Sequence, residues 1–155
     1  MRTAVAFGCA WLSVVVAGWQ SERSSVIKTC PVLTNAEAAA VLGSGTLFAS
    51  GTESTSGNVR IALLCEFVQG DRTLTVQATK TLGGKETWET IRKMSNGTLE
   101  PALGDYAYSD VDEGKPHVLV VKGPLTLELR IGGKGVTAAD APKLREAAKK
   151  ALPRT

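Results

Sequence analysis

The sequence predicts an α+β domain in which an antiparallel sheet carries its helices on one face. Alternating apolar and polar residues indicate strands with one buried face, most clearly from Leu125 to Ile131. Capped helical segments lie before and after the strands, beginning at Thr34 and Thr137. With 155 residues, 43% of them hydrophobic and 21% charged, the chain has room for one domain with a real core.

The N-terminal segment has the layout of a secretory signal peptide. An uncharged, largely apolar run extends from Thr3 to Trp19, with Arg2 before it and polar residues after it. Small residues at Val15 and Ala17 predict cleavage after Ala17, and cleavage after Gly18 is nearly as favourable. Retention as an anchor is the alternative, because the run is only slightly shorter than the roughly 20 residues that cross a bilayer. In both cases the rest of the chain is expected to be translocated.

Removal of this leader, residues 1–17, leaves two cysteines, Cys30 and Cys65. An even pair in an exported domain predicts a disulfide, which would attach the N-terminal segment to the sheet. In the chain-entropy estimate, closing a loop of this length is worth about 4 kcal/mol. A redox-active pair is disfavoured because the Cys-x-x-Cys spacing is missing. Residues 18–29 are predicted to be a linker.

The first predicted elements follow Cys30. The capping box of Thr34 and Glu37 begins a short helix that ends at Leu42, before a glycine. Residues 43–58 are rich in Gly, Ser and Thr, and they are predicted to form a mobile loop with one short strand at 47–49.

A hairpin and a helix are predicted next. Val59 to Val68 and Thr73 to Thr79 are strand-like and are separated by the Gly70-Asp71 turn. Lys85 to Met94 has apolar residues at helical spacing, and Trp88 is expected to anchor this helix in the core.

The second half repeats this order of elements. Strands are predicted at 103–109, 117–122 and 125–131, and a final helix runs from the Thr137 cap to Leu152. Because 59–94 and 104–152 both read as strands followed by a glycine break and a helix, a weak two-fold internal repeat is predicted. The domain would span 30–152, with 153–155 as a tail.

Several short strings resemble a known group of proteins. Cys30-Pro-Val-Leu-Thr-Asn-Ala-Glu37, Cys65-Glu66-Phe67 and Leu103-Gly104-Asp105-Tyr106-Ala107-Tyr108 resemble small exported bacterial proteins and lipoproteins of unknown function. The resemblance covers most of 30–152 and implies an envelope location and a Cys30–Cys65 disulfide. It transfers no catalytic residue. The chain departs from the lipoproteins because too few apolar residues precede Cys9 for a lipobox. A fainter similarity is to extracellular sensor domains of bacterial receptor kinases, and it concerns the fold alone.

The candidate binding residues lie in one short region. A single histidine, His117, excludes a site built on two histidines, and a strand-edge histidine with a hydrogen bond is the expected role. The carboxylates near it lack the further ligands of a calcium loop, so a solvated hairpin turn is favoured and no metal or cofactor is predicted. The candidate binding residues are Asp105, Tyr106, Tyr108, Asp110, Asp112 and His117.

Three functions compete on these observations. The favoured hypothesis is a non-catalytic exported domain that binds or senses an unknown envelope ligand or protein on the polar face of its sheet. The first alternative is a secreted inhibitor of a protease or cell-wall hydrolase, motivated by the small disulfide-stapled scaffold and the 43–58 loop. The second is a small envelope enzyme that uses its acidic residues. Nucleic-acid binding is not expected, because 18 basic residues nearly balance 15 acidic ones and form no stripe. Membrane association is expected only if the leader is retained.

Overall fold

The computed structural model describes residues 22–81 and 83–155, so the predicted leader and its cleavage sites lie outside the described residues. This part of the chain forms an eight-stranded sheet with three α-helices, which confirms the α+β class. The strands are β1 (Glu22–Val26), β2 (Leu47–Ser56), β3 (Val59–Gln69), β4 (Arg72–Lys80), β5 (Thr98–Leu99), β6 (Tyr106–Asp112), β7 (Lys115–Lys122) and β8 (Leu125–Gly133). The helices are α1 (Asn35–Leu42), α2 (Lys85–Met94) and α3 (Ala141–Ala151).

The sheet is antiparallel throughout, with the order β1-β2-β3-β4-β8-β7-β6-β5. Tight turns connect its hairpins, and the β6–β7 turn has positive φ angles at Glu113 and Gly114. Positive φ at both central residues is the geometry that keeps two twisted strands paired. The two halves of the chain meet at the pairing of β4 with β8, where Val76 lies opposite Leu129.

One face of the sheet carries the main hydrophobic core. Alternate residues of the central strands point into it, as the period-2 pattern of β8 predicted. Helices α1 and α3 cover this face and contribute Val41 and Leu144, both at most 2% exposed. The capping box of α1 is formed as predicted, since Thr34 accepts a hydrogen bond from Glu37 N at 3.2 Å and Glu37 reaches back to Thr34 N at 2.9 Å.

A second, smaller cluster lies on the opposite face. On β7, Val118 and Val120 belong to the main core, whereas Leu119 packs with Tyr106 and Tyr108 in the second cluster. Because successive strand residues point to opposite faces, the two clusters are separated by the sheet. Trp88 of α2 packs against the second cluster, so this helix departs from the expectation that all helices gather on one face. Trp88 anchors α2, but outside the main core.

The predicted disulfide is present between Cys30 and Cys65, with their Cα atoms 5.8 Å apart. Cys65 lies on β3 and is fully buried in the main core. The bond therefore attaches the segment that leads into α1 to the middle of the sheet.

Three segments differ from the sequence predictions. The loop expected over 43–58 is largely the ten-residue strand β2, which pairs with β1 on one side and β3 on the other. Residues 22–26, within the predicted linker, form β1 at the edge of the sheet. The predicted tail is held to the domain, because Arg154 binds both carboxylate oxygens of Glu37 at 2.6 and 2.8 Å. In each case tertiary pairing stabilises a segment whose local composition is polar.

Within residues 22–81 and 83–155, no helix has the length and apolar character needed to cross a membrane.

Candidate functional site

Beyond the second cluster and helix α2, the face of the sheet opposite the main core is largely polar, and we call this part the open face. Directly opposed residues on antiparallel strands point to the same side, so the strand register places polar residues in a row across the sheet. This row continues from β6 to β2 with little apolar interruption. Its members are Asp110, His117, Arg130, Thr75, Glu66 and Ser50.

His117 lies in this row and is held between two carboxylates from neighbouring strands. Its Nδ1 atom is 2.9 Å from Asp110 Oδ1, and its Nε2 atom is 3.0 Å from Glu128 Oε1, the latter outside hydrogen-bond alignment. The side chains of His117 and Asp110 are only 8% and 7% exposed. A neutral imidazole has one N–H, whereas the imidazolium has an N–H on both nitrogen atoms. Asp110 and Glu128 therefore face the two ring nitrogen atoms of His117 from opposite sides and fix the position of the ring.

Glu128 is shared between His117 and Arg130. Arg130 on the same strand approaches Glu128 with Nε and Nη2, the side edge of its guanidinium. His117, and after it Arg130, hold the pKa of Glu128 below its usual value of 4.5, although burial acts in the opposite direction. Glu128 is therefore ionised at neutral pH, where it contacts both His117 and Arg130.

Tyr108 closes the site on the side of α2. Its ring meets the His117 ring edge to face, with centroids 6.0 Å apart and planes at 86°. Burial, and after it the charges of Asp110 and Glu128, raise the pKa of Tyr108 to about 12. The phenol is therefore neutral at physiological pH and gives His117 a rigid, largely apolar wall.

A pocket of about 240 Å³ opens beside His117, and we call it the His117 pocket. Residues of β4, the β6–β7 turn, β7 and β8 line it. They are Thr73, Thr75, Glu113, Lys115, Pro116, His117, Arg130, Ile131 and Gly132. Asp110 and Glu128 are not among the lining residues, so the carboxylates that hold His117 and Arg130 lie behind the wall of the pocket.

The remaining predicted candidates do not join this site. Asp105 lies beyond the other end of β6, where its carboxylate accepts a hydrogen bond from Gly123 N at 2.7 Å. Tyr106 donates to Glu89 of α2 at 2.8 Å, and Arg92 and then this phenol lower the pKa of Glu89 to about 2. The side chain of Asp112 lies outside the described part of the chain. Of the six candidates, the structure brings together Tyr108, Asp110 and His117.

The carboxylates of the region are therefore distributed rather than clustered. Glu113 is 81% exposed at the tip of the β6–β7 hairpin, and Asp110 is committed to His117. Over the described ranges 22–81 and 83–155, no three metal-ligating side chains converge on one point.

Several polar contributors to the site were not candidates from sequence, among them Thr73, Thr75, Lys115, Glu128 and Arg130. The alternation in β8 does place Glu128 and Arg130 on the polar face of that strand. Their proximity to His117 depends on the pairing of β7 with β8, which sets His117 opposite Arg130. The alternation of apolar and polar residues in the sequence identifies the residues on the polar face of a strand. The strand register determines which of them lie next to each other.

The histidine site has the parts of a charge relay but a different arrangement. In a serine-type triad, one imidazole nitrogen faces a carboxylate and the other faces the nucleophile. Here both nitrogen atoms of His117 face carboxylates, so neither lies against a hydroxyl or thiol that it could activate. The geometry suits a fixed polar wall better than proton transfer to a substrate.

No family model matches the chain, and neither does a curated protein or a solved structure.

We expect Glu128→Gln to lower stability at neutral pH and to have less effect in acid. Because the folded-state pKa of Glu128 is lowered, its stabilising contribution is present above pH 4.5 and is lost as the pH falls through the folded-state value. Denaturant unfolding of both proteins from pH 7 downwards measures this difference. Glu86→Gln, on the exposed side of α2, is the control and should give curves parallel to those of the unsubstituted protein. A Glu128→Gln deficit that stays constant to pH 2 would contradict the assignment.

Proposed function

We propose that the chain is an exported, non-catalytic binding domain that takes its ligand in the His117 pocket on the open face. The observation that carries this proposal is the double carboxylate contact of His117. These contacts fix the position of the chain's single histidine, which lines the His117 pocket. A binding site needs a rigid wall with a few placed polar groups, and that is what these residues supply.

Export is supported by three features. The apolar run before residue 18 predicts a signal peptide, and the resemblance of the 30–108 strings is to exported envelope proteins. The Cys30–Cys65 disulfide is a bond that persists in oxidising compartments. We therefore place the domain outside the cytoplasm, in the periplasm or the medium.

Each alternative function loses a feature that motivated it. The inhibitor hypothesis depended on a small disulfide-stapled scaffold, which is present, and on a long mobile loop over 43–58, most of which is the strand β2 inside the sheet. The acidic-enzyme hypothesis depended on a cluster around 105–113, whose described carboxylates are separated between Gly123 N, His117 and solvent.

We also propose that the internal repeat is limited to the strands. The strand order is symmetric about the β4–β8 pairing, which is consistent with two related halves. The helices that follow the two halves differ, because α2 packs on the second cluster and α3 on the main core.

A substrate screen tests the non-catalytic assignment. We expect the purified domain to turn over none of a panel of peptide, glycan, ester and phosphate substrates, and Asp110→Asn and Glu128→Gln to leave those baselines unchanged. Turnover that either substitution abolishes, but that the Glu86→Gln control retains, would refute the proposal and restore the enzyme hypothesis.

A further inference from the structure

We infer that the His117 pocket is an anion site whose ligand carries a carboxylate or phosphate group. This inference deepens the proposed binding function by naming the ligand chemistry. The charged side chains that line the pocket are Lys115, Arg130, His117 and Glu113. Three of the four are basic, and the fourth is turned to solvent at the hairpin tip.

Arg130 presents a fixed donor to the pocket. Its Nε and Nη2 atoms are committed to Glu128, which orients the guanidinium plane. Within the described ranges Nη1 takes part in no hydrogen bond or ion pair, so its two N–H donors remain for a ligand. An arginine held in place by one carboxylate loses little further entropy when it binds another oxyanion.

The remaining donors converge from two other strands. Thr73 and Thr75 of β4 line the same pocket, and over the described residues neither hydroxyl has a protein hydrogen-bond partner. Lys115 of β7 has one acidic neighbour, Glu113, at 3.9 Å, and its side chain is 54% exposed. Hydroxyl and ammonium donors around a guanidinium form the set that recognises a carboxylate or phosphate oxygen.

The volume limits the size of the bound group. At about 240 Å³ the pocket is smaller than the ~300–1,000 Å³ of typical small-molecule sites. It therefore suits a small anion, or the anionic end group of a larger ligand whose remainder lies over Thr75 and its neighbours on the open face.

Titration of the isotope-labelled domain with sodium phosphate and, separately, sodium acetate tests the inference at constant ionic strength. We expect saturable NMR shifts at the Thr73 and Thr75 methyl groups, the Arg130 Nε–H and the His117 ring. Lys115→Gln and Thr75→Val should each weaken binding about tenfold, the size expected for loss of a hydrogen bond to a charged group. Both substitutions are conservative in volume and lie at positions that are not fully buried.

Two matched controls separate a site from general surface charge. Lys122→Gln lies at the far end of the same strand as Lys115, and Thr79→Val lies on the same strand and face as Thr75. Both should bind as the unsubstituted protein does. Saturation by phosphate, by acetate or by both supports the inference, and the relative affinities identify the preferred oxyanion.

Absence of saturable shifts with either probe would overturn the inference, and so would equal weakening in the Lys122→Gln control. This failure is distinct from failure of the proposed function. Shifts of the same resonances by a neutral oligosaccharide would keep the binding role while removing the anion assignment. Turnover lost in Glu128→Gln would remove the binding role itself.

Discussion

Removal of the disulfide by Cys30→Ala and Cys65→Ala together is expected to lower the free energy of unfolding by about 4 kcal/mol. The bond closes a loop with a sequence separation of 35, and opening it returns that loop's freedom to the unfolded chain. Since a small domain has only about 5–15 kcal/mol of stability, the loss should be visible as a large shift of the denaturant midpoint.

The matched measurement is reduction of the unsubstituted protein. Both treatments remove the bond, but reduction leaves two thiols in place of the cystine sulfurs, so similar losses would assign the effect to the cross-link rather than to packing at Cys65. If the double variant loses less than about 1 kcal/mol, the loop-closure argument is wrong for this chain.

Sequence analysis correctly predicts the elements whose boundaries depend on residues close together in the sequence. The Thr34 capping box places its two partners three residues apart, so the start of α1 can be predicted without any tertiary information. From Leu125 to Ile131, apolar and polar residues alternate because one face of the strand meets the main core. The pairing of Cys30 with Cys65 followed from having two cysteines in the predicted mature chain.

Strand pairing determines the structure of segments whose local sequence does not predict it. Residues 50–56 contain Ser, Gly and Thr, which are common in loops, yet they form most of β2 because strands on both sides satisfy their backbone groups. Gly51 shows the same effect, since an added Cβ would lie 2.7 Å from Ile27, in space that the neighbouring segment fills. Composition alone cannot indicate neighbours that are distant in sequence.

The candidate site, like β2, depends on contacts between residues that are distant in sequence. The helical spacing of Trp88 and Ile91 predicts an apolar stripe on α2, but it does not indicate which face of the sheet the stripe meets. Glu128 was recognisable as a polar-face residue, while its contact with His117 depends on a register 11 residues distant along the chain. The site therefore depends on two things together: the alternation of polar and apolar residues along each strand, and the order in which the strands pair.

His117→Ala is expected to lower the free energy of unfolding by about 3 kcal/mol at neutral pH, because it leaves the buried Asp110 carboxylate without its partner. Asp110→Ala should cost less, since His117 then keeps Glu128 at 3.0 Å. The double variant should lose clearly less than the sum, with a coupling energy of about 2 kcal/mol. Denaturant unfolding of the four proteins measures this cycle.

The exposed Glu113–Lys115 pair, 3.9 Å apart in the same hairpin, is the internal control, and its cycle should give less than about 0.5 kcal/mol. If the His117–Asp110 coupling is equally small, the histidine is not held by its carboxylates. The His117 pocket would then lack the rigid wall on which a binding role depends.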